Sequence, residues 1–183
     1  MPSNLTDLVQ NVSHTPPALP LTPERILARS SEDPIFARAL AQELAKANLF
    51  RFCRDILGFR DMNPEHEALC EFLQHETARI KLVLMPRYTF KSSIASIGRS
   101  LWLLLGHPNQ SLLFYSDSAE KSQGLLAGVK HHILGLAGQG AFRALTHPQP
   151  WEVDPQKQPW NQAQIVIAAR TAAAISPSVD TAG

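Results

Sequence analysis

The hydrophobic period of the chain changes at Ile80, and this change constrains the fold more than any other feature of the sequence. Residues 80–85 (IKLVLM) form an almost continuous apolar run about as long as a buried strand. A short loop follows, and from Lys91 to about Gly106 apolar residues recur at helical spacing. A strand, a loop and a helix in this order are typical of an α/β fold with a parallel sheet.

Two further apolar runs extend this pattern. Residues 111–118 (SLLFYSDS) and residues 164–169 (QIVIAA) are strand candidates, and residues 118–136 form a helix candidate between them. The predicted inward face of that helix consists of Leu125, Leu126, Val129 and Ile133. Strands that alternate with helices favour a parallel sheet flanked by helices.

The residues before Ile80 predict helices only. Residues 1–21 carry four prolines and predict a flexible arm, and Thr22-Pro23 and Asp33-Pro34 each have the pattern of a helix start. Gly58 is expected to end the second helix, and Asn63-Pro64 to begin a third. The predicted apolar stripes are Phe36, Leu40, Leu44 and Ala47 in the second helix, and Ala68, Leu69, Phe72 and Leu73 in the third. The expected domains are therefore an arm (1–21), a helical segment (22–78) and an α/β core (79–183).

Composition excludes little beyond a membrane span. The chain has 183 residues, 44% of them hydrophobic and 18% charged, which is typical of a folded protein. Its net charge of +1 gives no overall footprint for nucleic acid, although a local basic patch is compatible with it. No signal-peptide pattern opens the chain, so an intracellular protein is expected. Cys53 and Cys70 are expected to be reduced residues on helix faces.

Lys91-Ser92-Ser93 stands where a phosphate-binding loop would end. In such loops backbone amides and a helix N-terminus converge on the anion, a lysine adds a charge, and the next hydroxyl binds magnesium. The usual pattern is G-x-x-x-x-G-K-[ST], but here Met85 and Phe90 occupy the glycine positions. Arg87 adds a second cation to the loop. A solvated first turn of an ordinary helix is the alternative interpretation.

The stretch from Leu84 onwards resembles a known family. Pro86, Arg87, Lys91 and Ser92 match the Pro-Arg-x-x-x-Lys-Ser/Thr form of the Walker A loop in the ATPase region of the terminase large subunit of tailed bacteriophages. The order of features downstream also matches: Trp102, the Pro108-Asn109 turn, a strand that ends near Ser116, and an apolar strand after Trp160. The resemblance covers roughly residues 63–183.

The resemblance implies the ATP-binding part of the motor that packages viral DNA, with a partial P-loop NTPase fold and the cofactors ATP and Mg²⁺. Lys91 would bind the β- and γ-phosphates, Ser92 the magnesium ion, and Arg87 would sense the γ-phosphate. Thr89, Phe90 and Ser93 would complete the loop, and His66 would contact the adenine. The implied partners are double-stranded DNA, the portal protein and the small terminase subunit. The implied setting is a homo-oligomer on the portal in the host cytoplasm, with no membrane.

The acidic residues that such an ATPase needs are not apparent in the sequence. Asp117 follows a strand candidate but is more simply explained as a cap, and Asp180 lies in a turn-like context (SVDTAG). No cluster suits the two metal ions of a nuclease. We therefore expect an incomplete ATPase core, which binds nucleotide weakly without useful hydrolysis.

Other interpretations stay open. The chain could be a non-catalytic assembly or docking module, or a truncated remnant with a degenerate loop; a helicase would need motifs that are not seen. His131 and His132 are expected to be solvated, and Trp151 and Trp160 to anchor the core or a loop. The basic residues Arg79, Lys81 and Lys121 could touch DNA, but a solvated face is expected.

Overall fold

The structure, a computed structural model, describes residues 31–136, 140–146, 151, 159–171 and 176–183. The chain forms two compact units, Met1–Arg38 and Ala39–Gly183, and only residues 31–38 of the first are described. The predicted arm over residues 1–21 and the helix start at Thr22-Pro23 lie outside the described residues. No described helix is long and apolar enough to cross a membrane.

Helix α1 (Pro34–Ala47) begins where the sequence predicts. The carboxylate of Asp33 caps it, because its Oδ1 accepts hydrogen bonds from the amides of Ile35 (3.0 Å) and Phe36 (3.1 Å). The predicted apolar stripe is only partly correct, since Leu44 is 62% exposed and Ala47 is also exposed. Ala45, one position along, is buried instead.

Helix α2 (Leu49–Arg51) continues into a π-helical turn, Phe52–Ile56, and Gly58 follows its end with a φ of 78°. That left-handed angle confirms the predicted role of Gly58, because only glycine adopts it without steric cost.

Helix α3 (Pro64–His75) begins with a capping box. The side chain of Asn63 accepts from the amides of Glu65 and His66, and the ring of His66 accepts from the Asn63 amide. The buried face contains Leu69 and Leu73 as predicted, together with His66 and Cys70. The prediction was wrong for Ala68 and Phe72, which are exposed, because the buried stripe lies about one position away from them.

After the loop, Lys91 and Ser92 begin a helix that includes a π-helical turn, Ser93–Gly98, and continues as α4 (Arg99–Gly106). Strand β1 (Leu112–Tyr115) leads into α5 (Ala119–Leu134), which the Ser118 side chain caps. Leu126, Val129 and Ile133 of α5 are buried as predicted, and Leu125 is half-buried. The remaining elements are α6 (Ala141–Thr146), β2 (Gln164–Ile165) and β3 (Val179–Ala182).

The described strands form one three-stranded sheet in the order β1-β3-β2. β1 and β3 are parallel, with Leu112 opposite Val179, whereas β2 and β3 are antiparallel. The fold is thus mixed α/β, and the predicted all-parallel sheet is wrong for the β2–β3 pair. The prediction of a turn around Asp180 is also wrong: this residue lies within β3, where backbone pairing with two strands overrides the local Ser/Pro/Gly composition.

The first predicted strand, residues 80–85, is not formed among the described residues. No described backbone group forms a hydrogen bond with its amides or carbonyls. Ile80, Leu82 and Leu84 are 86%, 75% and 82% exposed, while Val83 and Met85 pack against the core. A strand requires a paired neighbour, and an apolar run in the sequence cannot show whether one is present.

A single hydrophobic core joins the helices to one face of the sheet in the second unit. Both cysteines lie in it as free thiols, as predicted. A hydrogen bond between them, together with burial, raises the pKa of Cys53, and the same bond lowers the pKa of Cys70. The largest side chains with almost no exposure are Phe52, Phe142, Leu49, Ile94, Leu101, Leu104, Leu126, Ile133, Ile165 and Ile167.

Candidate functional site

The loop of residues 86–91 has the most unusual backbone in the described part of the chain. Tyr88 (φ 64°) and Phe90 (φ 53°) are the only residues other than glycine there with a positive φ. Left-handed angles are costly for residues with a Cβ and occur mainly at functional sites. Phe90 occupies the position of the second glycine in the Walker A pattern, so the loop adopts a glycine-like conformation at that position without a glycine.

The loop presents a set of unused backbone donors. The amides of Lys91, Ser92 and Ser93 make no hydrogen bond to a described backbone group, and the first amide of the helix with such a partner is that of Ile94, which donates to the Phe90 carbonyl (2.8 Å). A left-handed residue followed by a helix start forms a concave arrangement of amides that suits an anion. The geometry therefore provides the backbone part of a phosphate site.

The two cations of the loop have no acidic partner among the described residues. Lys91 Nζ donates to the Pro86 carbonyl (3.1 Å), which also accepts from the Thr89 hydroxyl (2.8 Å). Arg87 is exposed and makes no hydrogen bond or ion pair within the described residues, and no described carboxylate pairs with Lys91. Two unpaired positive charges in one six-residue loop favour an anionic ligand.

Comparison with protein-family models, with curated proteins and with solved structures finds no match to this chain.

Ser92 and Ser93 lie at the start of the helix beyond Lys91. The Ser92 side chain is exposed and has no hydrogen-bond partner in the described structure, so its hydroxyl is available as a metal ligand. Ser93 opens the π-helical turn and is half-buried. Turns of π-helix are rare and often lie at functional sites.

His66 lies against the loop rather than in open solvent. It is 5% exposed, its Nε2 is 3.0 Å from the Thr89 carbonyl, and its Nδ1 is 3.0 Å from the Asn63 amide. Both ring nitrogens are thus engaged in this structure. The adenine contact that the resemblance implies stays a prediction, and the observed contact is with the loop backbone.

An aromatic neighbour of the loop, Phe59, was missed by the sequence analysis. Its ring stacks on that of Phe90, with 6.3 Å between centroids, and also contacts His132 edge-on. No local pattern singles out Phe59, because its contact with residue 90 depends on tertiary packing. His66 is the other neighbour of the loop, and the capping-box spacing of Asn63 and His66 was a signal in the sequence that could have pointed to it.

Asp117, one of the acidic residues considered for metal binding, is engaged by neighbouring side chains. Asp117 follows β1 and accepts from Lys121 Nζ (2.6 Å) and from the Ser116 hydroxyl (2.9 Å). These bonds lower the pKa of its carboxyl below its ordinary value. Within the described ranges, no group of three or more histidine, cysteine, aspartate or glutamate side chains could hold a metal ion.

The other residues considered as functional candidates make contacts within the fold. Trp151 is buried and its ring meets Phe142 edge-on, which agrees with the predicted core role. Lys81 Nζ donates to the Leu73 carbonyl (3.2 Å), and Lys121 pairs with Asp117. His131 is exposed as expected, whereas His132 is half-buried against Phe59.

Proposed function

We propose that the loop of residues 86–91 binds the phosphates of ATP with Mg²⁺. The observation that carries the proposal is the left-handed backbone at Tyr88 and Phe90 immediately before a helix start with unpartnered amides. Lys91 would leave the Pro86 carbonyl for the β- and γ-phosphates, Ser92 would hold the magnesium ion, and Arg87 would approach the γ-phosphate. Thr89 and Ser93 would keep the loop closed around the ligand.

We propose further that this nucleotide site belongs to the large subunit of a viral terminase, as the resemblance in residues 63–183 implies. The protein would then take part in the ATP-driven movement of double-stranded DNA into a capsid, as a homo-oligomer on the portal and together with the small terminase subunit. Its place of action would be the cytoplasm of a bacterial host. The spacing of Pro86, Arg87, Lys91 and Ser92 supports this proposal.

Calorimetric titration with ATP and magnesium tests the nucleotide site directly. We expect saturable heat with the unaltered chain and a loss of affinity of at least tenfold for Lys91→Ala, because one strong charge contact to phosphate would be removed. Lys81→Ala is the matched control, since the Lys81 ammonium also donates to a backbone carbonyl but lies outside the loop. Equal affinities of the two variants would contradict the proposal.

A second candidate function is a docking module without nucleotide. An open apolar groove of about 630 Å³ favours it; the groove lies between α3 and residues 82–86 and includes Phe72 and Leu84 in its lining. Exposed apolar surface of this kind often marks a protein interface. Absence of heat at millimolar ATP with magnesium would favour docking over nucleotide binding.

A further inference from the structure

The conformation of Phe90 requires an explanation, because its φ of 53° is unfavourable for a residue with a side chain. Glycine would adopt this angle freely, whereas phenylalanine keeps it only when surrounding contacts hold it there. The same loop contains a second left-handed residue, Tyr88, whose side chain is 98% exposed. Packing of the Tyr88 side chain therefore does not hold the loop in this conformation. The contacts that can hold it are those of Phe90 and of its neighbours Thr89 and Lys91.

Two rings hold the Phe90 side chain. Phe59 stacks on it at 6.3 Å between centroids and an interplanar angle of 29°, and His66 meets it edge-on at 6.1 Å and 79°. Both arrangements are favourable geometries for aromatic pairs. Phe59 is itself anchored, because its amide donates to the Cys53 carbonyl (3.1 Å) and its ring packs against the core.

His66 also holds the loop backbone through a hydrogen bond whose direction can be assigned. The Asn63 amide donates to Nδ1, so Nδ1 is unprotonated and Nε2 carries the hydrogen in the neutral ring. Nε2 therefore donates to the Thr89 carbonyl at 3.0 Å. Asn63 caps α3, so the capping box holds the His66 ring in place. The ring in turn holds the loop at the Thr89 carbonyl.

We propose that His66 is a positioning residue for the phosphate loop and that, together with Phe59, it imposes the backbone conformation that a glycine provides in the usual Walker A pattern. The inference that this conformation serves ligand binding rests on the proposed nucleotide site. The hold on the loop itself is a property of the ligand-free chain. The two statements can therefore fail separately.

Two substitutions at position 66 separate helix capping from loop holding. His66→Glu retains an acceptor for the Asn63 amide, as in the usual capping box, but has no donor for the Thr89 carbonyl. His66→Gln supplies both an acceptor and a donor. We therefore expect the glutamine variant to keep the loop in place and the glutamate variant to release it.

The amide of Ile94 reports on the loop without any ligand, because it donates to the Phe90 carbonyl. Hydrogen exchange measured by NMR should be about tenfold faster at Ile94 in His66→Glu than in the unaltered chain, and within about threefold of it in His66→Gln. The amide of Val129, buried in α5, serves as the internal control for global stability. Equal exchange at Ile94 in both variants would overturn the role of the hydrogen bond.

Substitutions of Phe90 test the angle itself. Phe90→Gly loses the ring contacts but accepts the left-handed angle, whereas Phe90→Ala loses the contacts and keeps the steric conflict. We expect Ile94 to exchange faster in the alanine variant than in the glycine variant, by about threefold or more. The reverse order would show that the left-handed angle at position 90 is not strained.

ATP affinity then separates the two levels of the proposal. If the hold of His66 and Phe59 on the loop serves nucleotide binding, His66→Glu should weaken ATP–magnesium binding by about tenfold and His66→Gln by less than about threefold. If Ile94 exchange responds as expected but the unaltered chain binds no ATP, the hold of His66 on the loop stands and the proposed function fails. If ATP binds equally to all variants, the proposed function stands and the inference that the hold on the loop serves ligand binding is wrong.

Discussion

Gly98 lies where two π-helical turns come close together, and its missing side chain makes that approach possible. A Cβ at this position would lie 2.6 Å from Cys53 Sγ and 3.4 Å from the Ser93 carbonyl. Cys53 is fully buried, so its sulfur has no free space to move into. The φ of Gly98 is −60°, an ordinary helical angle, so packing rather than backbone conformation requires glycine here.

Gly98→Ala should destabilise the chain by about 1–3 kcal/mol, because the new methyl group overpacks the contact with Cys53. Cys53→Ala in the same chain should recover part of that loss, which urea unfolding of both single variants and the double variant would measure. Gly124→Ala is the matched control, since it also lies in a helix but has open space, and it should stabilise by about 0.5–1 kcal/mol. If Gly98→Ala and Gly124→Ala stabilise the chain equally, the close approach of Gly98 to Cys53 is wrong.

At the loop of residues 86–91, the sequence shows which side chains are present but not what holds the backbone. Lys91, Ser92 and Arg87 were predicted as ligands from the order of a lysine and a hydroxyl after an apolar run and from the resemblance to the terminase loop, and this stays a prediction. The role of Phe90 was unpredictable, since a local pattern assigns that angle to glycine. Phe59, 31 positions earlier, supplies the missing constraint only once the chain is folded.

At the scale of one element, α5 places a histidine in a partly apolar position near its end. The ring of His132 meets Phe59 edge-on at 5.8 Å. Burial, and to a lesser extent the neighbouring His131, lowers the pKa of His132 below its ordinary value of 6.5. The folded chain thus resists a proton that the unfolded chain accepts.

This pKa shift gives stability a defined pH dependence. Because the folded-state pKa is lowered, the contribution of His132 is fully present above pH 6.5 and decreases as the pH falls through the interval down to the folded-state pKa. Urea midpoints should therefore fall between pH 7 and pH 5, and should fall less in His132→Gln and in His132→Phe, the second of which retains a ring for Phe59. If the urea midpoints of both variants depend on pH as those of the unaltered chain do, His132 is not a source of the pH dependence.

Helices and strands differed in how far sequence could predict them. The starts of α1 and α3 were predictable because Asp33 and Asn63 cap their own helices through local hydrogen bonds. Strand β3 was not, because its stability comes from pairing with β1 and β2 rather than from its own residues. The same dependence on partners explains why residues 80–85 look like a strand in sequence and are unpaired among the described residues.

At the scale of the whole molecule, residues 80–85 form a conspicuous apolar surface in the described part of the chain. Ile80, Leu82 and Leu84 are each at least 75% exposed, and Leu82 and Leu84 line a groove that also includes Phe72 of α3. An exposed apolar row with unpaired backbone groups favours association with another chain.

Leu84→Lys tests this exposure in solution. Because the side chain is 82% exposed, the free energy of unfolding should change by less than about 0.5 kcal/mol, and self-association measured by sedimentation velocity should decrease. Leu44→Lys is the matched control, since Leu44 is 62% exposed but lies on α1, outside the row, and it should leave association unchanged. Leu104→Ala, at a fully buried site, should cost about 2–5 kcal/mol and calibrates the measurement. A loss of several kcal/mol in Leu84→Lys would show that residues 80–85 are a buried strand in solution, as their sequence predicts.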